Sequence, residues 1–300
     1  VALQQRKIDV TFTLASAPGK PAINFAEGGN TLKLSDLRVS AKIIKAGGVT
    51  LGSAELRIYG MTFSHMNKLS TLGMQIQLVP WNTVTIEASD SNGVPTTVFY
   101  GSITNAYGDF QSAPDVGFFA QATILGADAI ANKSFAAFDD GLDVASILAG
   151  YAKKMNLTFE NNGVNITMPA THVYGSYRDQ VASIVQHANI MWNGGDGGVL
   201  AIWPKNGTRN ALSSGIPLVS PTTGMIGYPS YTAQGIVIKT IFNPAIAFGR
   251  EIQVQSSLPP ANGNWTVSSI DHTLESEMPG GQWFTTIQCY NPKFGTQVVR

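Results

Sequence analysis

The sequence predicts a mainly β protein in which two antiparallel β-barrels stand in tandem with a small α+β insert between them. Three observations carry this. Residues 1–130 and 206–300 repeat apolar side chains at every second position, as strands with one buried face do. Residues 131–205 change to a spacing of three and four, the period of an amphipathic helix. Clusters of Gly, Pro, Asn and Asp separate these stretches and supply the backbone angles that turns need.

In the first stretch, Ile8, Val10, Phe12 and Leu14 alternate with polar neighbours. Strands from Leu34 to Ile44 and from Ala54 to Tyr59 flank Lys45-Ala46-Gly47-Gly48-Val49, and paired glycines tolerate the positive φ of a hairpin end. A long hairpin is expected there. Ser64 ahead of Met66, Leu69 and Leu72 predicts a short helix, capped by Ser64 and closed by Gly73. Three more strands run from Thr83 to Ala88, Thr97 to Thr104 and Gly117 to Leu125, with Asp90-Ser91-Asn92-Gly93 turning between the first two. The sum is a six-strand antiparallel barrel or sandwich.

In the insert, residues 131–205, Leu142, Ala145, Leu148, Ala152 and Met155 mark one helix. Ser176, with Asp179 three residues on, opens a second whose apolar face is Val181, Ile184, Val185 and Ala188. The run Gly194 to Gly198 joins a strand at Ile190-Met191-Trp192 to another at Val199 to Trp203. From residue 206 the strands return: Leu218 is followed by a Pro/Thr/Gly/Ser-rich connection that leads to strands at Gly235 to Phe242, Glu251 to Ser256, Trp265 to Leu274 and Trp283 to Tyr290. These form the second barrel.

Composition narrows the function. Nineteen basic residues balance 19 acidic ones, so the basic excess on which phosphate affinity depends is absent. Charged residues make up 13%, against a usual share of roughly a quarter. Such a surface suits a subunit covered by neighbours better than a free monomer. The single cysteine, Cys289, excludes an internal disulfide framework and cysteine-rich zinc modules, and its alternating position in Phe284 to Tyr290 predicts burial. Val1 to Val10 lacks the apolar core of a signal peptide, and no run approaches the ~18 apolar residues that cross a bilayer. A chain without a membrane-spanning segment is expected.

No catalytic, cofactor or metal residues are predicted. His65, His172, His187 and His272 show no ligand spacing. Asp139-Asp140-Gly141-Leu142-Asp143 lacks the alternating oxygens and distal Glu of a calcium loop, and helix capping explains it. Asp271, Glu275 and Glu277 with His272 form the one paired-carboxylate arrangement worth weighing for glycan hydrolysis. Their alternation with Leu274 and Ser276 reads instead as the solvent face of a strand. Trp81, Trp192, Trp203, Trp265 and Trp283 are candidates for a sugar platform, with core and interface packing the stronger expectation.

The ordered C-terminal segments Gly235 to Pro244, Phe248-Gly249-Arg250-Glu251-Ile252, Gly263 to Val267, Ile270 to Leu274 and Gly280 to Thr286 resemble the closing strands of tailed-phage baseplate hubs of the protein D-like family. Asn82 to Ala88, Val98 to Ile103 and Ser112 to Val116 look like that family's N-terminal barrel. The resemblance implies two tail-tube-like barrels per chain and a homotrimer that imitates sixfold symmetry. The implied partners are a hexameric tail tube, a trimeric central spike, other baseplate proteins and the tape-measure protein, with DNA only in transit. It further implies a non-enzymatic virion component of the tail baseplate, assembled in the host cytoplasm. Some relatives carry fused lysozyme or peptidase domains, and the short remainder after the second barrel leads us to expect none here. On this reading Lys45, Gly47 and Gly48 are the candidate contact with an adjacent ring, because a long hairpin can offer backbone donors and acceptors beyond its own barrel. Two alternatives stand beside it: a tail-tip or tube-initiator subunit of a non-contractile tail or related injection apparatus, and a carbohydrate-binding tail β protein.

Overall fold

The computed structural model describes residues 6–16, 24–25, 28–46, 52–71, 82–90, 92–111, 113–126, 133–210 and 215–291. Among the described residues, seven strands form the N-terminal part: β1 (Ile8–Thr13), β2 (Thr31–Leu34), β3 (Val39–Ala46), β4 (Ser53–Tyr59), β5 (Thr83–Ser89), β6 (Pro95–Asp109) and β7 (Gly117–Thr123). The alternation in β1 is realised as read: Ile8, Val10 and Phe12 are buried while Asp9, Thr11 and Thr13 are half-buried. The seventh strand arises because the run from Leu34 to Ile44 breaks at Asp36, whose φ of 56° no strand accommodates. The short helix α1 spans Phe63–Leu69, and Thr62, not Ser64, caps it by accepting from the His65 N–H. It ends at Ser70, and Gly73 lies outside the described residues.

The insert contains β8 (Ser134–Phe138), β9 (Leu142–Asp143), α2 (Val144–Lys154), β10 (Thr158–Asn161), β11 (Thr167–Met168), β12 (Thr171–Gly175), α3 (Tyr177–His187), β13 (Ile190–Gly194) and β14 (Val199–Pro204). Asp143 caps α2, accepting from the Ser146 amide at 2.9 Å and its hydroxyl at 2.7 Å, so the acidic run there is a helix start. Ser176 and Asp179 form the reciprocal capping box of α3. Both helices bury their apolar stripes, including Leu148, Ala152, Val181 and Ile184, over the three-stranded sheet β10-β14-β13.

The C-terminal part adds β15 (Leu218–Val219), β16 (Met225–Thr232), β17 (Gly235–Ile241), β18 (Glu251–Val254), β19 (Gly263–Ser276) and β20 (Trp283–Tyr290). Its connectivity departs from the expectation of two closed barrels. Among the described residues, one 13-stranded sheet runs β16-β17-β20-β19-β3-β4-β7-β6-β5-β1-β2, with β18 and β15 branching from β19, and neither half returns on itself. The cause is the length of β19. Its first residues pair β18 from Val254 to Glu251, and on the same edge Ser269 to Ser276 then pair Ala46 to Val39 of β3. An edge that could have closed one barrel joins the two halves instead. The apolar interior follows the seam, since Phe242, Leu274 and Trp283 belong to the core otherwise built from β1 to β7 and α1.

Candidate assembly surfaces and internal latches

The seam brings the β3–β4 hairpin beside the insert. Lys45 sits near the end of β3, opposite Ile270 of β19, and its ammonium lies 2.9 Å from Asp196 in the turn between β13 and β14. Both side chains are largely buried, at 14% and 11% exposed, so this pair is shielded from solvent screening. Gly47 and Gly48 lie outside the described residues. Of the three predicted contact residues, Lys45 is therefore engaged within its own chain.

A second ion cluster holds the insert from another side. Glu160 in β10 accepts from Arg209 in the fork geometry, at 3.1 Å from Nε and 2.7 Å from Nη2. Arg250 donates from Nη2 to both Glu160 oxygens at 3.3 and 3.4 Å, and its Nη1 bonds the Asn210 carbonyl. Burial pushes the Glu160 carboxyl up, but the Arg209 bonds and both guanidinium charges outweigh it and hold the group below the usual carboxylate range. The Arg250 guanidinium is shifted down by burial and by Arg209, against the pull of Glu160. Hydrophobic periodicity carries no trace of either cluster, because an isolated Glu or Arg does not announce its partner.

The sheet ends are the other conspicuous surface. β16 pairs only with β17 and leaves its outer edge open among the described strands. Ile226, Tyr228 and Tyr231 on it are exposed, Tyr228 by 70%, and Ile241 of β17 is exposed beside them. Long apolar edges of this kind invite another strand or chain. Two exposed aromatic stacks stand elsewhere: Phe63 on Phe110 at 5.2 Å, and Phe135 on His172 at 5.5 Å.

The residues weighed for catalysis take structural places. His272 is buried edge-on to Phe242, with Nδ1 2.8 Å from the Thr285 hydroxyl, and burial followed by the nearby Lys45 charge drives its pKa well below the ordinary imidazole value. Glu275 accepts from the Gln282 amide at 2.8 Å and the Ser40 hydroxyl at 3.4 Å. Glu277 falls beyond β19 in a turn at φ 54°, so the two carboxylates do not share a strand face as expected. Trp192, Trp203, Trp265 and Trp283 are buried and make no sugar platform, while Trp81 lies outside the described residues. Cys289 is buried as predicted, and burial pushes its thiol pKa up. Among the described residues, no group of three or more His, Cys, Asp or Glu side chains could hold a metal ion, and no helix is long and apolar enough to cross a membrane.

Comparison with known proteins agrees with the sheet-based architecture. Solved structures that share the fold include the prophage MuSo2 43 kDa tail protein from Shewanella oneidensis, at TM-score 0.61 and 9% identity over 96% of this chain and 98% of that one. A tail protein from Neisseria meningitidis MC58 gives TM-score 0.63 and 8% identity over 96% and 97%. The Escherichia coli c3393 protein, a type VI secretion component described as similar to the T4 tail proteins gp27 and gp5, gives 0.54 and 12% over 85% and 73%. No curated protein sequence matches the chain. A family model described as "Baseplate hub gp41" matches residues 8–289, nearly the whole chain, and the chain therefore belongs to the baseplate hub gp41 family.

Proposed function

We propose that the chain is a non-enzymatic structural subunit of a phage tail baseplate hub. Three copies form a ring in which two β halves per chain present six similar elements to a hexameric tail tube and three to a central spike. Tape-measure protein and DNA pass through the channel, other baseplate proteins surround it, and assembly takes place in the host cytoplasm before the subunit enters the virion. The observation that carries this reading is the continuous sheet joined at β3 and β19, because it fixes both halves at one mutual angle, as a subunit that must fit two symmetries requires. The balance of 19 basic and 19 acidic residues suits a channel through which DNA slides without being held. On this reading the modules are 1–130, 131–205 and 206–300.

Within this reading, Gly47 and Gly48 carry the hairpin contact with the adjacent ring, while Lys45 braces the hairpin from inside through Asp196. The test is mass measurement and negative-stain imaging of the purified chain with and without its tube and spike partners. A trimeric ring that stacks on the tube is expected, and replacing Gly47 and Gly48 with valine is expected to abolish stacking while leaving the ring. A chain that stays monomeric with both partners present would defeat the reading. The fold shared with a type VI secretion component supports a second reading, the equivalent ring of a related injection apparatus.

A further inference from the structure

The insert has its own hydrophobic core, separate from those of the two β halves, built from α2, α3 and the β10-β14-β13 sheet. What joins it to the body is of another kind. The apolar part is a cluster of Trp203 and Ala201 of β14 against Phe248, the two rings 5.8 Å apart, with Met191 and Val199 packed on it and Ile124 and Leu125 against the glycines at 194 and 195. The rest is polar, with Lys45 on Asp196 at one flank, and at the other Arg209 and Arg250 on Glu160 beside one neutral bond from the Asn210 N–H to Asn162 Oδ1 at 2.9 Å. This contact surface also carries unrelieved polar cost. The Trp203 Nε1 is buried without a hydrogen-bond partner, and two guanidinium cations share one carboxylate. Opening would let water satisfy both, which offsets part of what docking gains from apolar burial and from the ion pairs.

We propose that the insert is a reversibly docked module, latched to the β-body by Lys45–Asp196 and by the Arg209/Arg250–Glu160 cluster, and able to swing away with its own core intact when both latches open. The two latches act on different parts of the chain. Asp196 grips the seam strand β3, whereas Glu160 grips the loops that precede β15 and β18. Displacement of either part therefore weakens docking without unfolding the insert.

Hydrogen exchange of the full chain, read by mass spectrometry, tests this. In a double variant Glu160→Gln, Asp196→Asn, amides at 205–210 and 245–250 are expected to exchange at least tenfold faster, while those of α2, α3 and the β3–β19 ladder keep wild-type rates. Unchanged rates at 205–210 and 245–250 would overturn the proposal. So would equal acceleration in the helices and the ladder, which would mean global destabilisation. The wild-type chain supplies a second measurement that needs no variant. In sub-denaturing urea the same amides are expected to open with a shallow denaturant dependence, ahead of the global transition. If they open only with that transition, the insert is not a separate module.

Discussion

At the scale of single residues, the clearest consequence of burial concerns His272. Its imidazole sits in the seam between Phe242 and Thr285 with Lys45 nearby, so the native state resists protonation. The folded pKa lies below the unfolded value of about 6.5. Stability is therefore complete above pH 6.5 and is lost as pH falls through that value, at up to about 1.4 kcal/mol per pH unit until the folded group itself titrates. A His272→Gln variant is expected to be less stable at pH 7.5 yet to lack this slope, as checked by urea midpoints at pH 7.5, 6.5 and 5.5. Equal slopes in both proteins would contradict the buried neutral imidazole. Glu160 acts in a lower window. Its folded pKa is depressed, so its contribution stands above the ordinary carboxylate value and disappears as pH falls through the folded one. Where the signal is local the sequence is legible: the Ser176–Asp179 capping box and the burial of Cys289 each follow from a few adjacent residues, whereas Leu142, expected on the buried face of the helix, lies exposed in β9 because the helix starts only after the Asp143 cap. Residue-level reading misassigned Glu277, because alternation from Glu275 was carried past the end of β19 into a turn.

At the scale of elements, legibility depends on how regular each strand is. β1, β5, β17 and β20 alternate cleanly and were evident. β16 was hidden because Gly227 takes φ 69°, Pro229 removes a donor, and a register shift between Ile226 and Ser230 breaks the period of two. The pairing of β3 with β19 was illegible for a different reason. Alternation states which face of a strand is buried but not which strand lies beside it, and here Ser40 meets Glu275 across 235 residues of chain. That seam makes an element-scale prediction. Leu274 is fully buried in β19 opposite Ala41, in the core shared by both halves. Leu274→Ala should cost about 2–5 kcal/mol. Because the halves share a sheet, near-UV circular dichroism and exchange of β7 and β17 amides should report one coincident transition at the lowered midpoint. Separate transitions for the two sets of amides would show that the seam does not couple them.

At the scale of the whole molecule, the open sheet ends decide what the surface is for. A 13% charged chain with an apolar edge strand is poorly defended against association, and natural proteins relieve such edges by covering them. In the proposed ring, β16 of each copy would be the place for that cover, since Ile226, Tyr228 and Tyr231 expose apolar surface around an edge that is unpaired among the described strands. Substituting Ile226→Lys and Tyr231→Lys should therefore act on assembly and not on the fold. Both side chains are exposed in the single chain, so the change in monomer stability is expected to stay within about 0.5 kcal/mol. In the assembled state each lysine would have to be desolvated against a neighbour, which disfavours the contact. If the chain assembles into the proposed ring, light scattering should give single-chain mass for the double variant at concentrations where the unsubstituted chain gives the mass of a trimer, with superimposable urea curves recorded below the assembly threshold. A ring that survives both lysines would move the subunit interface away from β16, whereas a lowered urea midpoint would place these side chains inside the folded core instead of on its edge.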